Sequence, residues 1–438
     1  MPLEDLVSQL HAVLLDLNAH PYPEVANPPE APKRASVALI LRIQPHYSHW
    51  SDHPPPPGPT QFRDSLEAFF AQDWVKHGDP ELLFIKRATR AGDKWNGHVA
   101  LPGGKRDPED GDDQVTAARE ALEEVGIRLD DTNSIPIGNL PQRLVTTSWG
   151  KVPLMVLCPY IYLLTSPAYP SQRLQPTEVA STHWVSLRAL QAPSLRTYEY
   201  ADVSARLAKS EFGITRWFLQ TMLSKMMFAA IHLVPSSSIY CSTIPGFLPE
   251  GPPPDSGLTG RIKEALAGPE NIYARPPLLL WGLTLGVVSD LLEHLPPHNA
   301  LELWTYPTFT NWDVRFVMWA MSYRFRKQKS IEMRTQTTVG LDTVTVPIVD
   351  PEVAEKPGEV GIAGLGVGRD WGRAGRAKMV ARNAAVNSML EGYYPIVRRA
   401  VATALMARIS LALGLAAWLG TKYRVKDCIV ELWRSLYV

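Results

Sequence analysis

GHVALPGGKRDPEDGDDQVTAAREALEEVGI, Gly97 to Ile127, is the stretch on which the reading of this chain turns. Arg119-Glu120-Ala121-Leu122-Glu123-Glu124 lies in an Ala- and Leu-rich run of helical character, entered from an Asp-rich loop. Asp110, Asp112 and Asp113 are candidates to cap the helix or complement its dipole. On that helix Glu120, Glu123 and Glu124 stand at i, i+3 and i+4, so one face carries three carboxylates. Ala117, Ala121, Leu122 and Val125 form the apolar side, and Gly126 is the stop. Clustered carboxylates repel one another unless a cation sits among them, and hard oxygen ligands suit Mg²⁺ or Mn²⁺. A solvated acidic face is the competing reading. Leu101-Pro102-Gly103-Gly104 favours the metal site, because two glycines allow close backbone approach and leave carbonyls free for a ligand.

The segment resembles a Nudix box, whose pattern is Gly, five residues, Glu, seven residues, then Arg-Glu-U-x-Glu-Glu-x-Gly-U, with U apolar. Arg119 to Ile127 fit the second half at every fixed position. In the first half Asp110 stands where Glu is usual, and one further residue separates it from Arg119. LPGGKRDPEDGDD followed by TAAREALEEVG is similar to the coenzyme A diphosphatase branch, which carries this longer loop. The resemblance implies an α/β fold, a Nudix-type α/β/α sandwich with a mixed sheet, and hydrolysis of a nucleoside-diphosphate-linked substrate. First choice is coenzyme A or acyl-CoA, giving 3′,5′-ADP and a 4′-phosphopantetheine. Another dinucleotide or a sugar-nucleotide is the second reading, and a non-catalytic, membrane-associated binding module the third. Glu120, Glu123, Glu124 and the Gly104 carbonyl would hold Mg²⁺ or Mn²⁺, with Arg119 orienting Glu123. Arg87, Lys105 and Gly103 would meet substrate phosphates, although Arg87 and Lys105 also read as exposed strand-end charges. Glu178, before the closing strand, is a further candidate ligand or base. In the branch's signature, Ala88 replaces a Ser and Asp93 an Arg.

The 438 residues, 45 % of them apolar, suffice for one to three domains with a real core. Lys plus Arg and Asp plus Glu are both 44, so no net field argues for nucleic acid. Cys158, Cys241 and Cys428 match no metal spacing and suit a reducing, intracellular compartment. The first twenty residues read as an amphipathic helix and not as a leader; SLYV is no recognised peroxisomal address. Residues 1–35 are expected to form this helix and a linker, and 36–200 the main Nudix part. An insertion at 201–275 contains an apolar helix over 212–234, and 276–296 is the last Nudix helix. A Trp-rich basic segment (297–335), a connector (336–375) and a C-terminal helical extension (376–438) follow. Strands are expected at 35–43, 81–87 and 152–164, and a helix at 61–77. His46, His49 and His53 read as a polar loop. Residues 400–420 are a candidate membrane contact, with Arg408 inside the apolar run. No residue pattern specifies an oligomeric state.

Overall fold

The computed structural model describes residues 3–29, 33–49, 62–89, 97–147, 152–201, 225–242, 278–296, 305–339, 359–360, 366–367 and 393–422. They fall into two compact units: 1–199 with 228–307 and 332–391, and 200–227 with 308–331 and 392–438.

The first unit opens with α1 (Leu3–Ala19) and β1 (Arg34–Gln44), then α2 (Phe62–Ala71) and α3 (Asp73–Lys76). Strands β2 (Asp79–Arg87), β3 (Val99–Ala100) and β4 (Gly103–Lys105) lead into helix α4 (Asp113–Val125). Next come β5 (Ser134–Asn139), β6 (Arg143–Thr147), β7 (Val152–Leu164), β8 (Val179–Ser186), α5 (Leu187–Gln191) and β9 (Arg196–Ala201). After β10 (Met226–His232) and β11 (Ser237–Tyr240), β12 (Leu279–Trp281) runs into α6 (Gly282–His294).

The main sheet runs β11-β8-β2-β1-β7-β6, with β3, β4 and β5 paired alongside, and continues past β6 with Glu359–Val360 and Gly366–Val367, short strands within the stretch expected to be a connector. It is mixed: β1 and β7 are parallel over Arg34–Leu41, while β2 is antiparallel to both β1 and β8. Both faces are covered, as a run of consecutive apolar residues in β1 requires. Ala38 and Ile40 belong to the cluster that includes Ala117, Ala121 and Val125 of α4. Leu39, Leu41 and Ile43 alternate with them, point the other way and are equally buried. Helix α1 packs on β5 and α2 and buries Leu6, Leu10, Leu14 and Leu17. Each such leucine contributes about 1.5–3 kcal/mol of burial.

Several expectations change. The helix expected over 61–77 breaks at Gln72, whose extended backbone starts α3 afresh. Gly103–Lys105 is a strand, because Ser36 of β1 pairs with Gly104. Where the structure describes the apolar 212–234 segment it shows strand: Ala230, Ile231 and His232 of β10 pair with Trp281, Leu280 and Leu279 of β12. A run that apolar is compatible with either a buried strand or a helix, and the partner decides. Leu279–Trp281 is accordingly strand where only helix was expected. The 201–275 stretch also supplies β11, which pairs with the edge strand β8. Of the three loop histidines, His53 lies outside the described residues, and His49 stacks on His77 with ring centroids 3.9 Å apart.

In the second unit Phe309 and Thr308 of β13 (Thr308–Phe309) pair with Met226 and Met227. Helix α7 (Trp312–Val339) carries helix into the first residues expected to form a connector. Helix α8 (Tyr393–Lys422) contains the whole 400–420 run.

Candidate active site

Asp112 takes the N-cap of α4, its carboxylate accepting the Val115 N–H at 2.7 Å. Gly126 ends the helix at φ 75° while its N–H donates to the Leu122 carbonyl. Asp113 goes elsewhere: Arg34 of β1 donates Nε and Nη2 to it. Burial would raise the Asp113 carboxyl, but the Arg34 hydrogen bonds hold it below its ordinary value. Ala117, Ala121 and Val125, spaced by four, face the sheet, and the turn of the helix leaves Leu122 44 % exposed instead of buried.

This setting divides the three glutamates. Glu124 is 2 % exposed and accepts the Gly103 N–H at 2.9 Å. Burial, reinforced by the charges of Glu120 and Glu178, pushes its carboxyl up to about 8, against the pull of the Gly103 N–H and Arg87. Glu120 lies against the same turn. A Cβ added to Gly104 would meet its Cδ at 2.5 Å and its Oε2 at 2.6 Å. Burial also raises the Glu120 carboxyl, with Arg119 opposing and Glu123 and Glu178 adding to the rise. Glu123 points out to solvent, 2.8 Å from Arg119 Nη1. The single acidic face of the sequence is therefore two inward carboxylates and one outward.

Gly103 is tighter still: at φ 157° its added Cβ would meet the Ser36 carbonyl oxygen and, at 2.7 Å, the Val37 Cα. Glu178 is close enough for its charge to add to the rise of both the Glu120 and the Glu124 carboxyl. Its carbonyl accepts the Ala88 N–H at 2.8 Å, beside Arg87 at the end of β2. Arg87, Gly103, Gly104, Glu120, Glu124 and Glu178 thus belong to one neighbourhood. Asp93 lies outside the described residues.

Asp110 is the residue whose role the sequence did not disclose. Its two oxygens accept Arg119 Nε and Nη2, each at 3.0 Å, and also the Thr116 hydroxyl and the Asp107 N–H. The Arg119 hydrogen bonds, acting first, hold its carboxyl down at about 2. Arg119 in turn donates to the Lys105 carbonyl at 3.0 Å, so one guanidinium ties the Gly-Gly strand, the acidic loop and α4 together. The departure from the usual spacing was the available signal, since it placed an acid at a fixed distance from Arg119. Lys105 lines a cavity of about 550 Å³ with Lys33, Arg34 and Arg106 and with the carboxylates of Asp107 and Asp110, a setting in which cations outnumber carboxylates.

The donor set fits a hard divalent cation. Buried carboxylates with raised proton affinity, converging on a turn with backbone oxygens, are stabilised by such an ion or by protons. A mixed α/β sandwich presenting an acidic helix beside a Gly-Gly strand defines a class, and the comparisons agree with it. The NUDIX domain profile matches residues 74–207. An uncharacterised protein of Schizosaccharomyces pombe is 32 % identical over 305 residues, 68 % of this chain and 78 % of that one. An uncharacterised Nudix hydrolase of Photorhabdus laumondii is 32 % identical over 158 residues, 35 % of this chain and 74 % of its own. The peroxisomal coenzyme A diphosphatase of Mus musculus is 68 % identical over 53 residues, 12 % of this chain and 22 % of that one. This chain belongs to the Nudix family, whose hydrolases act on pyrophosphate bonds and generally use divalent metals.

Proposed function

We propose that this chain is a Mg²⁺- or Mn²⁺-dependent diphosphatase that hydrolyses coenzyme A or acyl-CoA to 3′,5′-ADP and (acyl-)phosphopantetheine. The observation that carries the reading is the convergence of Glu120 and Glu124 on the Gly103–Gly104 strand, with Glu178 in their field. The local likeness to a coenzyme A diphosphatase supports the substrate.

Hydrolysis adds water across the P–O–P bridge: its oxygen bonds to one phosphorus, and the bridging oxygen leaves on the other phosphate. Glu120, Glu124 and the Gly104 carbonyl would hold the cation, with Glu178 available to complete the set and Glu123 turned outward onto Arg119. When bound, it would neutralise the phosphate oxygens and lower the pKa of water. A cation held there would offset the burial that raises the Glu124 proton affinity and keep the carboxylate ionised. Arg119 holds Glu120 and Glu123 in register through its anchor on Asp110. Arg87 and Lys105 supply positive charge for the substrate's phosphates.

Ala88, where the branch's signature has Ser, supports a second reading in which another dinucleotide or a sugar-nucleotide is cleaved. Product identification separates the two. The purified chain, given Mg²⁺ or Mn²⁺ and offered coenzyme A, ADP-ribose, NADH and diadenosine polyphosphates in turn, should release 3′,5′-ADP and phosphopantetheine from coenzyme A. Turnover confined to another member of the panel assigns the second reading. The compartment is proposed as intracellular, with contact to a membrane.

A further inference from the structure

The second unit carries a surface that phosphoric anhydride hydrolysis does not use. Among the described residues, α8 is the one helix long and apolar enough to cross a membrane. Its first half buries a stripe, Val397, Ala400 and Ala404. From Ile409 onward it is exposed nearly all round, with Leu411 76 % and Leu415 55 % exposed. No charged residue interrupts it from Ile409 to Thr421. A helix in water keeps polar groups on its open face; one that is apolar on every side needs an apolar surrounding.

The two helices of this unit are antiparallel, since Asp313 of α7 meets Arg408 of α8 and Phe325 meets Tyr393. Composition is graded along them. From Arg408 to Lys422 α8 continues for about 20 Å at ~1.5 Å per residue, which is more than half of a ~30 Å hydrocarbon core. At the level of Arg408 and behind it, α7 exposes Trp312, Phe316, Trp319 and Tyr323, with Arg315 among them; the Phe316–Trp319 and Trp319–Tyr323 centroids lie 6.2 and 6.0 Å apart. Further back stand Arg324 and Lys327 on α7 and Arg398 and Arg399 on α8. Apolar, aromatic, basic is the order met on leaving a bilayer for its headgroups and the water beyond. Arg408 is matched to this depth: Asp313 accepts its Nε at 2.5 Å and its Nη2 at 2.6 Å, leaving a paired charge where an unpaired one would be costly. Lys422 at the far end lies over the Trp418 ring at 4.6 Å, a contact that strengthens as an ammonium loses water.

We propose that the apolar half of α8, Ile409 to Thr421, inserts into a phospholipid bilayer, with the aromatic and basic flank of α7 against anionic headgroups. The inference is independent of which diphosphate the enzyme cleaves. The test is flotation of the purified full chain with phosphatidylcholine vesicles, and with vesicles containing 30 % phosphatidylserine. The chain should float with both and more strongly with the second. Leu411→Asp with Leu415→Asp should cut flotation at least tenfold while leaving circular dichroism and diphosphatase activity unchanged, because both side chains are exposed. Arg324→Glu with Lys327→Glu should abolish only the preference for phosphatidylserine. Wild type that stays at the bottom of the gradient with both vesicles overturns the proposal. So does a lipid-indifferent dimer that the Leu411/Leu415 changes dissolve, since a second copy would then cover the surface.

Discussion

Gly103 and Gly104 are neighbours that should fail in different ways when given a methyl group. At Gly103 the new Cβ runs into the backbone of Ser36 and Val37, which cannot move without unpairing β1 from β4. Gly103→Ala should therefore lower stability by about 2–3 kcal/mol in chemical denaturation. At Gly104 the obstacle is the end of the Glu120 side chain, which can swing away. Gly104→Ala should leave the melting temperature near wild type but reduce kcat by ~10²-fold, the scale of an ångström misplacement in a site. Asp110 makes a third test. Its carboxyl titrates at about 2 in the fold against an ordinary 3.8. A depressed folded pKa stabilises above the unfolded value and loses that stabilisation as pH falls through the folded one. Asp110→Asn should cost about 1.5–3 kcal/mol near neutrality, and the gap to wild type in thermal melts should hold from about pH 5 to 8 and close between about pH 4 and 2.

The elements differ in how far their residues announce them. Helix α4 was legible end to end, because its cap, its stop and the four-residue spacing of Ala117, Ala121 and Val125 are all local. Strands β1, β2 and β7 were legible as unbroken apolar runs. Strand β10 was not: Met226–His232 has no turn residue inside it, and what makes it a strand is β12, distant in the chain. The clearest hidden contact ties β6 to α6, where Arg143 and Asp290 form a fully buried ion pair. Neither the Arg143 guanidinium nor the Asp290 carboxylate has a hydrogen-bond partner among the described residues, so what holds the two together is opposite charge at close range. Asp290→Asn should destabilise the fold by about 3–5 kcal/mol, whereas Arg143→Met combined with Asp290→Leu should recover most of that loss or exceed it. Equilibrium unfolding of the three variants reads this out. Neither partner could be matched from the sequence, since nothing local to an arginine or an aspartate says that it is buried.

Across the whole molecule, the family was legible where its residues are concentrated in a short stretch, and the arrangement of the candidate site was not, because it depends on assembly. The carboxylates of α4 were visible at once. That only Glu120 and Glu124 face inward, that Asp110 anchors Arg119, and that Glu178 joins them all follow from the sheet bringing β1, β2 and β8 to one end. The C-terminal third showed its apolar run from sequence, but the pairing of Arg408 with Asp313 needed both helices. The most direct test of the account is hydrolysis of coenzyme A by the full chain with Mg²⁺ or Mn²⁺, wild type against Glu124→Gln, with metal binding followed by calorimetry on both. The account predicts release of 3′,5′-ADP by wild type and a loss of ~10³-fold in kcat for the variant, with weakened metal binding and an intact fold. Equal rates in the two proteins would contradict it, because the buried carboxylate on which the site is built would then take no part in the reaction.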